Sequence, residues 1–269
     1  MNLLIAVVTY KSRAVIEPCL ASIYGSNIPF PFEVIVIDND SNDGSVDYIR
    51  AKFPNVRLIV NRCNLGFAKA VNLAFRECSG RYLLVLNPDI LVCHGAIPAL
   101  VSMMESDPEI GLCAPKLLNI DGSLQYSCRR YYTLYTLLLR RTILGSIFPN
   151  HEALRQHLMM DWDHSTAREV DWVLGAAFML RREAVPEDQA MDERFFLYFE
   201  DVDLCLQLQK AGWKVIYYPG AVMIHHHQRE SAKRILSRAK FEHMKSWIKF
   251  SWKHRHEPLL HLSRNKRRG

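Results

Sequence analysis

Three acidic side chains, Glu200, Asp201 and Asp203, follow directly on the apolar run Phe195-Phe196-Leu197-Tyr198-Phe199. At a helix N-terminus the helix dipole alone favours such carboxylates. Emerging from a buried segment, they are also partly desolvated, which suits a general base that must reach a hydroxyl proton. A second group is Asn87-Pro88-Asp89, directly after the strand-like Leu83-Leu84-Val85-Leu86. An Asp held just past a buried strand can supply hard oxygen to Mg²⁺ or Mn²⁺, the ions that neutralise a nucleoside diphosphate; a plain Pro-Asp turn is the alternative. Two further segments, VVTYK at 7–11 and VIDNDSNDGS at 36–45, carry groups that could hold a base: a carboxylate for a pyrimidine N3–H and an aromatic ring for stacking. Asp40 or Asn42 could equally cap the helix that opens at Gly44.

These groups share a structural logic. Short apolar runs rich in β-branched residues occur at 3–8, 34–37, 56–60, 82–86 and 111–114, and helical patterns at 13–24, 44–53, 67–77 and 95–106. Such alternation predicts βαβ units and a parallel sheet, in which ligands bind beyond the carboxyl ends of the strands. That rule selects Thr9-Tyr10, Asp38-Asn39-Asp40, residues 61–66 and Asn87-Pro88-Asp89. Beyond the midpoint the pattern loosens. Residues 129–148 read as a helix packed on the sheet or facing a membrane or acceptor, and 172–181 as a loop entering a strand. Residues 200–212 read as a helix closed near Gly212, and 214–218 and 221–225 as two short strands.

The chain has 269 residues, 49% hydrophobic and 23% charged, without a linker-like stretch or fixed-period repeat, which favours one main α/β domain. The opening run at 3–8 is too short for a secretory or membrane-spanning segment. Seven cysteines, none in a C-x-x-C pair, fit neither a disulfide framework nor a zinc site, so a reduced, cytosolic setting is expected. The net charge of +6 is uneven: residues 228–269 hold 13 Lys/Arg against 3 Asp/Glu, net +10, leaving the body at −4. A basic end of this kind implies a polyanionic partner, either nucleic acid or an anionic membrane surface. Phe241, Met244, Trp247, Ile248, Phe250 and Trp252 at helical spacing favour an amphipathic helix on a membrane or on the body over a nucleic-acid-binding protein.

Taken in order, VTYK, DNDSNDGS, NLGFAKAVN, LNPDI, DWVLGAAFMLRR, FFLYFEDVDLCLQLQKAGW and HHHQRES resemble glycosyltransferase family 2, in its bacterial rhamnosyltransferase-like branch, over about residues 3–231. The resemblance implies a GT-A fold: a Rossmann-like nucleotide-binding half fused to an acceptor-binding half around one mixed sheet. It divides the chain into a catalytic domain, 1–231, and a basic amphipathic helix and tail, 232–269. It implies an inverting transfer, with dTDP-L-rhamnose as the favoured donor and a UDP-hexose or UDP-N-acetylhexosamine as alternatives. The acceptor would be a polyprenyl-diphosphate-linked saccharide of cell-surface polysaccharide synthesis. The enzyme would then be cytoplasmic and peripheral at the inner membrane face, with no nucleic-acid partner.

Carried over by position, the resemblance implies that Thr9, Tyr10, Asp38 and Asn39 would hold the nucleoside, with Asn87 near the phosphates and Lys69 either there or on a solvated helix face. Asp89 would bind a divalent metal, Mg²⁺ or Mn²⁺, where many relatives have Asp-x-Asp. His225 or His227 would lie near the diphosphate, His225 being preferred and taken with Asp89 as a metal residue. Asp201 would be the catalytic base, and Asp171, Trp172, Gly175 and Glu200 would face the acceptor.

Overall fold

The computed structural model describes residues 3–133, 136, 139, 151–226 and 238–255. Four parallel strands form its first half: β1 (Leu3–Thr9), β2 (Phe32–Asp38), β3 (Arg57–Val60) and β4 (Tyr82–Leu86). The sheet continues through β5 (Ile90–Val92), β6 (Ile110–Leu118) and β11 (Ala177–Arg181) to β12 (Lys214–His225), in the spatial order β3-β2-β1-β4-β11-β6-β12-β5. Strand β11 runs antiparallel to both β4 and β6, so the sheet is mixed as expected. Two-residue strands complete the set: β7 (Leu124–Gln125) and β9 (Arg168–Glu169) on the large sheet, and β8 (Cys128–Arg129) paired with β10 (Trp172–Val173).

Strand β1 is buried along its whole length, which explains its unbroken apolar sequence: both faces of a parallel strand are covered. Leu3, Ile5 and Val7 point into a core completed by Ile16, Leu20 and Ile23 of α1 (Ile16–Gly25) and Leu100 and Met104 of α4 (Ala96–Ser106). Leu4, Ala6 and Val8 point the other way, to Ala70, Val71 and Ala74 of α3 (Phe67–Arg76) and Val202 and Leu206 of α6 (Glu200–Lys210). Each buried Leu, Ile, Val or Met among them stabilises the fold by about 1.5–3 kcal/mol relative to exposure. Helices α2 (Ser45–Lys52) and α5 (Glu152–His157) are shorter.

Helix α7 (Arg238–Lys253) lies against the body rather than apart from it. Phe250 is buried beside Phe199, ring centroids 5.3 Å apart, and Trp247 is half-buried against the same core.

Two expectations change. Residues 214–225 form one strand, not two: the Pro219-Gly220 break is absorbed as a register shift against β6 between Tyr218 and Val222. Of the helix expected over 129–148, the first part is extended, since Cys128 and Arg129 pair with β10; Thr136 and Leu139 are helical, and the remainder from 134 onward lies outside the described residues.

Candidate active site

The carboxyl ends of β1, β2 and β4 open into a cavity of about 440 Å³, lined by Thr9, Tyr10, Asn39, Asn87 and Asp89 among the expected residues. Lys11, Asn64, Gly66, Phe67, Phe196 and Leu197 also line it. The parallel register explains the convergence: Thr9 pairs with Asp38, and Asn39 N–H donates to the Thr9 carbonyl at 2.9 Å. Thr9 Oγ1 is buried with no hydrogen-bond partner among the described residues, a group whose desolvation a ligand would offset. Tyr10 is 44% exposed at the mouth. Asn39 is fixed by donating to the Gly66 carbonyl at 3.2 Å and accepting from Asn61 at 2.9 Å.

Asp38 does not reach the cavity. It is fully buried, and its carboxylate accepts the backbone N–H of Ser41 at 3.0 Å and the Ser41 hydroxyl. This turn shapes the loop that presents Asn39. Neither Asp40 nor Asn42 caps α2, whose N-cap is Gly44; Asp43 just before it accepts Ser45 N–H and Arg13 N–H, each at 3.0 Å. Lys69 is exposed on α3 and is not among the lining residues.

Gly66 fixes the floor. Its φ of +85° is one that L side chains rarely adopt, and an added Cβ would overlap the Phe196 carbonyl oxygen and lie 2.8 Å from its ring. The Phe67 N–H donates to that same carbonyl at 2.9 Å. Gly66→Ala is therefore expected to destabilise the fold by about 3 kcal/mol or more. Denaturant unfolding checks this, and a change below about 1 kcal/mol would show that the Phe196 segment moves aside at little cost.

Asp89 and His225 meet at the cavity edge, Oδ1 to Nε2 at 3.3 Å, because β12 runs beside β5, with His225 paired to Ile90. His226 N–H donates to the Asp89 carbonyl at 2.8 Å, which fixes the loop independently of the side chain. His225 Nδ1 lies 2.8 Å from Gln125 Oε1. With Nδ1–H donating to that oxygen, Nε2 turns a lone pair toward a carboxylate oxygen, an arrangement that a cation between them would relieve. The pair therefore fits a divalent metal. Among the described residues no group of three or more His, Cys, Asp or Glu could hold one, so Asp89 and His225 would by themselves be a partial ligand set. His227 lies outside the described residues.

The proposed base is brought close by β4 and β11. Asn87 N–H donates to the Ala176 carbonyl at 2.8 Å, tying the Asp89 loop to the Gly175 loop. Gly175 N–H donates to Asp201 Oδ2 at 3.0 Å, and Val202 N–H to Oδ1 at 2.9 Å. A Cβ at Gly175 would stand 3.3 Å from Phe67, a cavity residue, and 3.5 Å from the Asp201 Cβ. Burial raises the pKa of Asp201, against the lowering effect of both amides and of Arg129. Glu200 is likewise raised above the usual carboxylate range, first by burial and then by the charge of Asp201.

The acceptor-side residues divide. Gly175 touches Asp201, whereas Glu200 is buried with Oε2 unpartnered among the described residues. Asp171 accepts Tyr131 N–H at 2.8 Å, and buried Trp172 donates Nε1–H to the Arg130 carbonyl at 3.0 Å. Both brace the segment around β8. The sequence did not reveal that Tyr198 and Phe199, immediately before Glu200, adopt φ of +68° and +69°. Positive φ at two aromatics beside a proposed base is of the kind that clusters at active sites; in the sequence they read only as core.

The sequence model of Glycosyl transferase family 2 matches residues 4–158, more than half the chain, and that of Glycosyl transferase family group 2 matches 131–254. The chain belongs to glycosyltransferase family 2. It is 31% identical over 264 residues to the N-acetylglucosaminyl-diphospho-decaprenol L-rhamnosyltransferase of Mycobacterium tuberculosis, covering 93% of this chain and 84% of that protein. It is 27% identical over 179 residues to rhamnosyltransferase WbbL of Escherichia coli, covering 65% and 63%. The fold is that of GalNAc-T7, solved with UDP, GalNAc and Mn²⁺ (TM-score 0.66, 15% identity, 94% of this chain and 48% of that one). The same holds for S. aureus TarS with UDP-GlcNAc (TM-score 0.58, 14% identity, 88% and 62%). This family 2 enzyme is thus a glycosyltransferase with a GT-A fold.

Proposed function

We propose that the enzyme transfers L-rhamnose from dTDP-L-rhamnose to a saccharide on a polyprenyl diphosphate, with inversion, at the cytoplasmic face of a membrane. The observation that carries the chemistry is the Asp201 carboxylate, anchored by Gly175 N–H on the loop that Asn87 ties to the donor cavity. The relative from M. tuberculosis, similar over most of both chains, supports the sugar and the acceptor.

Thr9 and Tyr10 stand where they can hold the nucleoside, and Asn39 and Asn87 line the same cavity. Asp89 and His225 would hold Mg²⁺ or Mn²⁺ together with the donor's own diphosphate, and the ion would supply positive charge beside the leaving phosphates. Each Asp201 oxygen accepts one amide N–H and keeps a lone-pair site for the acceptor hydroxyl. As that proton passes to Asp201, the hydroxyl oxygen bonds to the anomeric carbon and the bond to the nucleoside diphosphate breaks. Attack opposite the leaving group inverts the centre, and no covalent enzyme intermediate forms.

A donor panel tests the sugar: dTDP-L-rhamnose, UDP-hexoses and UDP-N-acetylhexosamines, each with an N-acetylglucosaminyl-diphosphoryl lipid, assayed for nucleotide release. Release only from dTDP-L-rhamnose, dependent on acceptor, is the expected result. Turnover of a UDP-sugar in its place would overturn the donor assignment and leave the site geometry standing.

A further inference from the structure

Helix α7 has two apolar faces, and the body uses one. On its inner side Ser246 Oγ donates to the Leu197 carbonyl at 2.8 Å, Phe250 packs on Phe199, and Lys253 Nζ and His254 Nε2 each lie 2.7 Å from the Asp203 carboxylate. On its outer side Phe241, Met244, Ile248 and Trp252 are 68%, 45%, 56% and 63% exposed. At about 100° per residue these four span an arc of about 80°, directly opposite Phe250. Elsewhere among the described residues, large exposed apolar side chains stand singly, as at Tyr24, Val60 and Ile120. A stripe of this kind on a pinned helix calls for a partner.

We propose that this outward face of α7 seats the enzyme on an anionic lipid surface. Charge decides for lipid over a second copy of the chain. Exposed Lys245 flanks the stripe, and the Arg255 guanidinium lies 4.4 Å from the Trp252 ring centroid. Of the other described helix cations, Lys249 and Lys253 turn to the body, onto the Arg194 carbonyl and the Asp192 and Asp203 carboxylates, so the outward charge is that of Lys245 and Arg255. A two-fold dimer through the same face would oppose these cations to their own copies, whereas phosphate head groups complement them and the apolar side chains enter the interface. Among the described residues no helix is long and apolar enough to cross a membrane, so this contact is one of lying on the surface.

The seat also bears on the reaction. Asp203, which anchors Lys253 and His254, is two residues beyond Asp201 on α6, so a lipid-bound α7 holds the helix of the proposed base at a fixed attitude to the bilayer. The inference takes from the proposed function only the lipid-linked acceptor that such an attitude serves.

The test uses the full chain and vesicles without donor or acceptor, so its outcome is independent of the sugar assignment. Co-sedimentation is measured with phosphatidylethanolamine–phosphatidylglycerol vesicles and with phosphatidylcholine vesicles, for the wild type and for the combined variant Phe241→Ser, Ile248→Ser, Trp252→Ser. The three side chains are exposed, so unchanged thermal unfolding is expected and confirms that the variant folds. The wild type should bind the anionic vesicles, and the variant should bind them about tenfold or more weakly. Raising salt should weaken the wild type in part, because the apolar contact is unscreened. Equal binding by wild type and variant would overturn the proposal, as would a wild-type dimer that the variant converts to monomer, since a second copy would then cover the stripe.

Discussion

Asp201→Asn should lower the transfer rate by about 10² to 10⁴, the usual worth of a general base, while leaving nucleoside diphosphate binding within about twofold of wild type. The asparagine keeps the shape but has one acceptor oxygen where the aspartate has two, and Gly175 N–H and Val202 N–H each use one. One amide must face the new NH₂ group, so a stability loss of about 1 kcal/mol should accompany the loss of rate. The pH profile separates the two effects. Burial raises the Asp201 pKa, so the carboxylate stays protonated to higher pH than an exposed aspartate, whose value is about 3.9. Activity must therefore rise with pH through that elevated value, and the residual activity of the asparagine variant should lack the acidic limb. The folded state binds the extra proton, so the wild type loses stability as pH rises from the ordinary aspartate value through the raised one. The asparagine variant should not show that loss at this position. Transfer kinetics on the folded variant check the rate. Near-normal turnover would remove Asp201 from the role and move the search to Glu200 and Asp203.

Much of this site was legible in the sequence because strand ends are. The run Leu83-Leu84-Val85-Leu86 had to be buried, so Asn87 and Asp89 had to emerge beside it, and Thr9 had to emerge from β1 in the same way. Acidic residues after an aromatic run likewise marked α6 and its start. What the sequence concealed was side-chain direction. Asp38 stands at a strand end as correctly as Asp89 does, yet a serine three residues on offers it both an amide and a hydroxyl, and local bonding wins over the cavity. Trp172 and Glu200 followed the catalytic motif in order but are buried, the Trp172 indole N–H donating to the Arg130 carbonyl. Tertiary pairing also overrode a local signal at Pro219-Gly220. Gly220 accepts the Tyr218 ring where a Cβ would collide with it, and β12 continues to deliver His225 to Asp89. On α7 the helical spacing was plain, but which apolar residues faced the body required Phe250 and Trp247 to be seen against it.

Asp89→Ala should weaken nucleoside diphosphate binding by about 10- to 100-fold in Mg²⁺ or Mn²⁺ and hardly at all in EDTA, a range set by what even outer partners of metal ligands contribute. The loop should survive the change, since His226 N–H bonds to the Asp89 backbone carbonyl and Ile90 pairs with His225 in the sheet. What disappears is the carboxylate 3.3 Å from His225 Nε2. His225→Ala should reproduce the pattern, and the double variant should cost less than the two losses combined, because two ligands of one ion share a single binding free energy. Isothermal titration with dTDP, with and without the metal, reads all four states. If Asp89→Ala lost the same affinity in EDTA, its carboxylate would be acting on the nucleotide or the loop directly, and the cation would have to sit elsewhere. If His225→Ala lost nothing in metal while Asp89→Ala lost much, the histidine would be a neighbour of the ligand only. The Gln125 contact to its Nδ1 would then serve to pack β7 against β12.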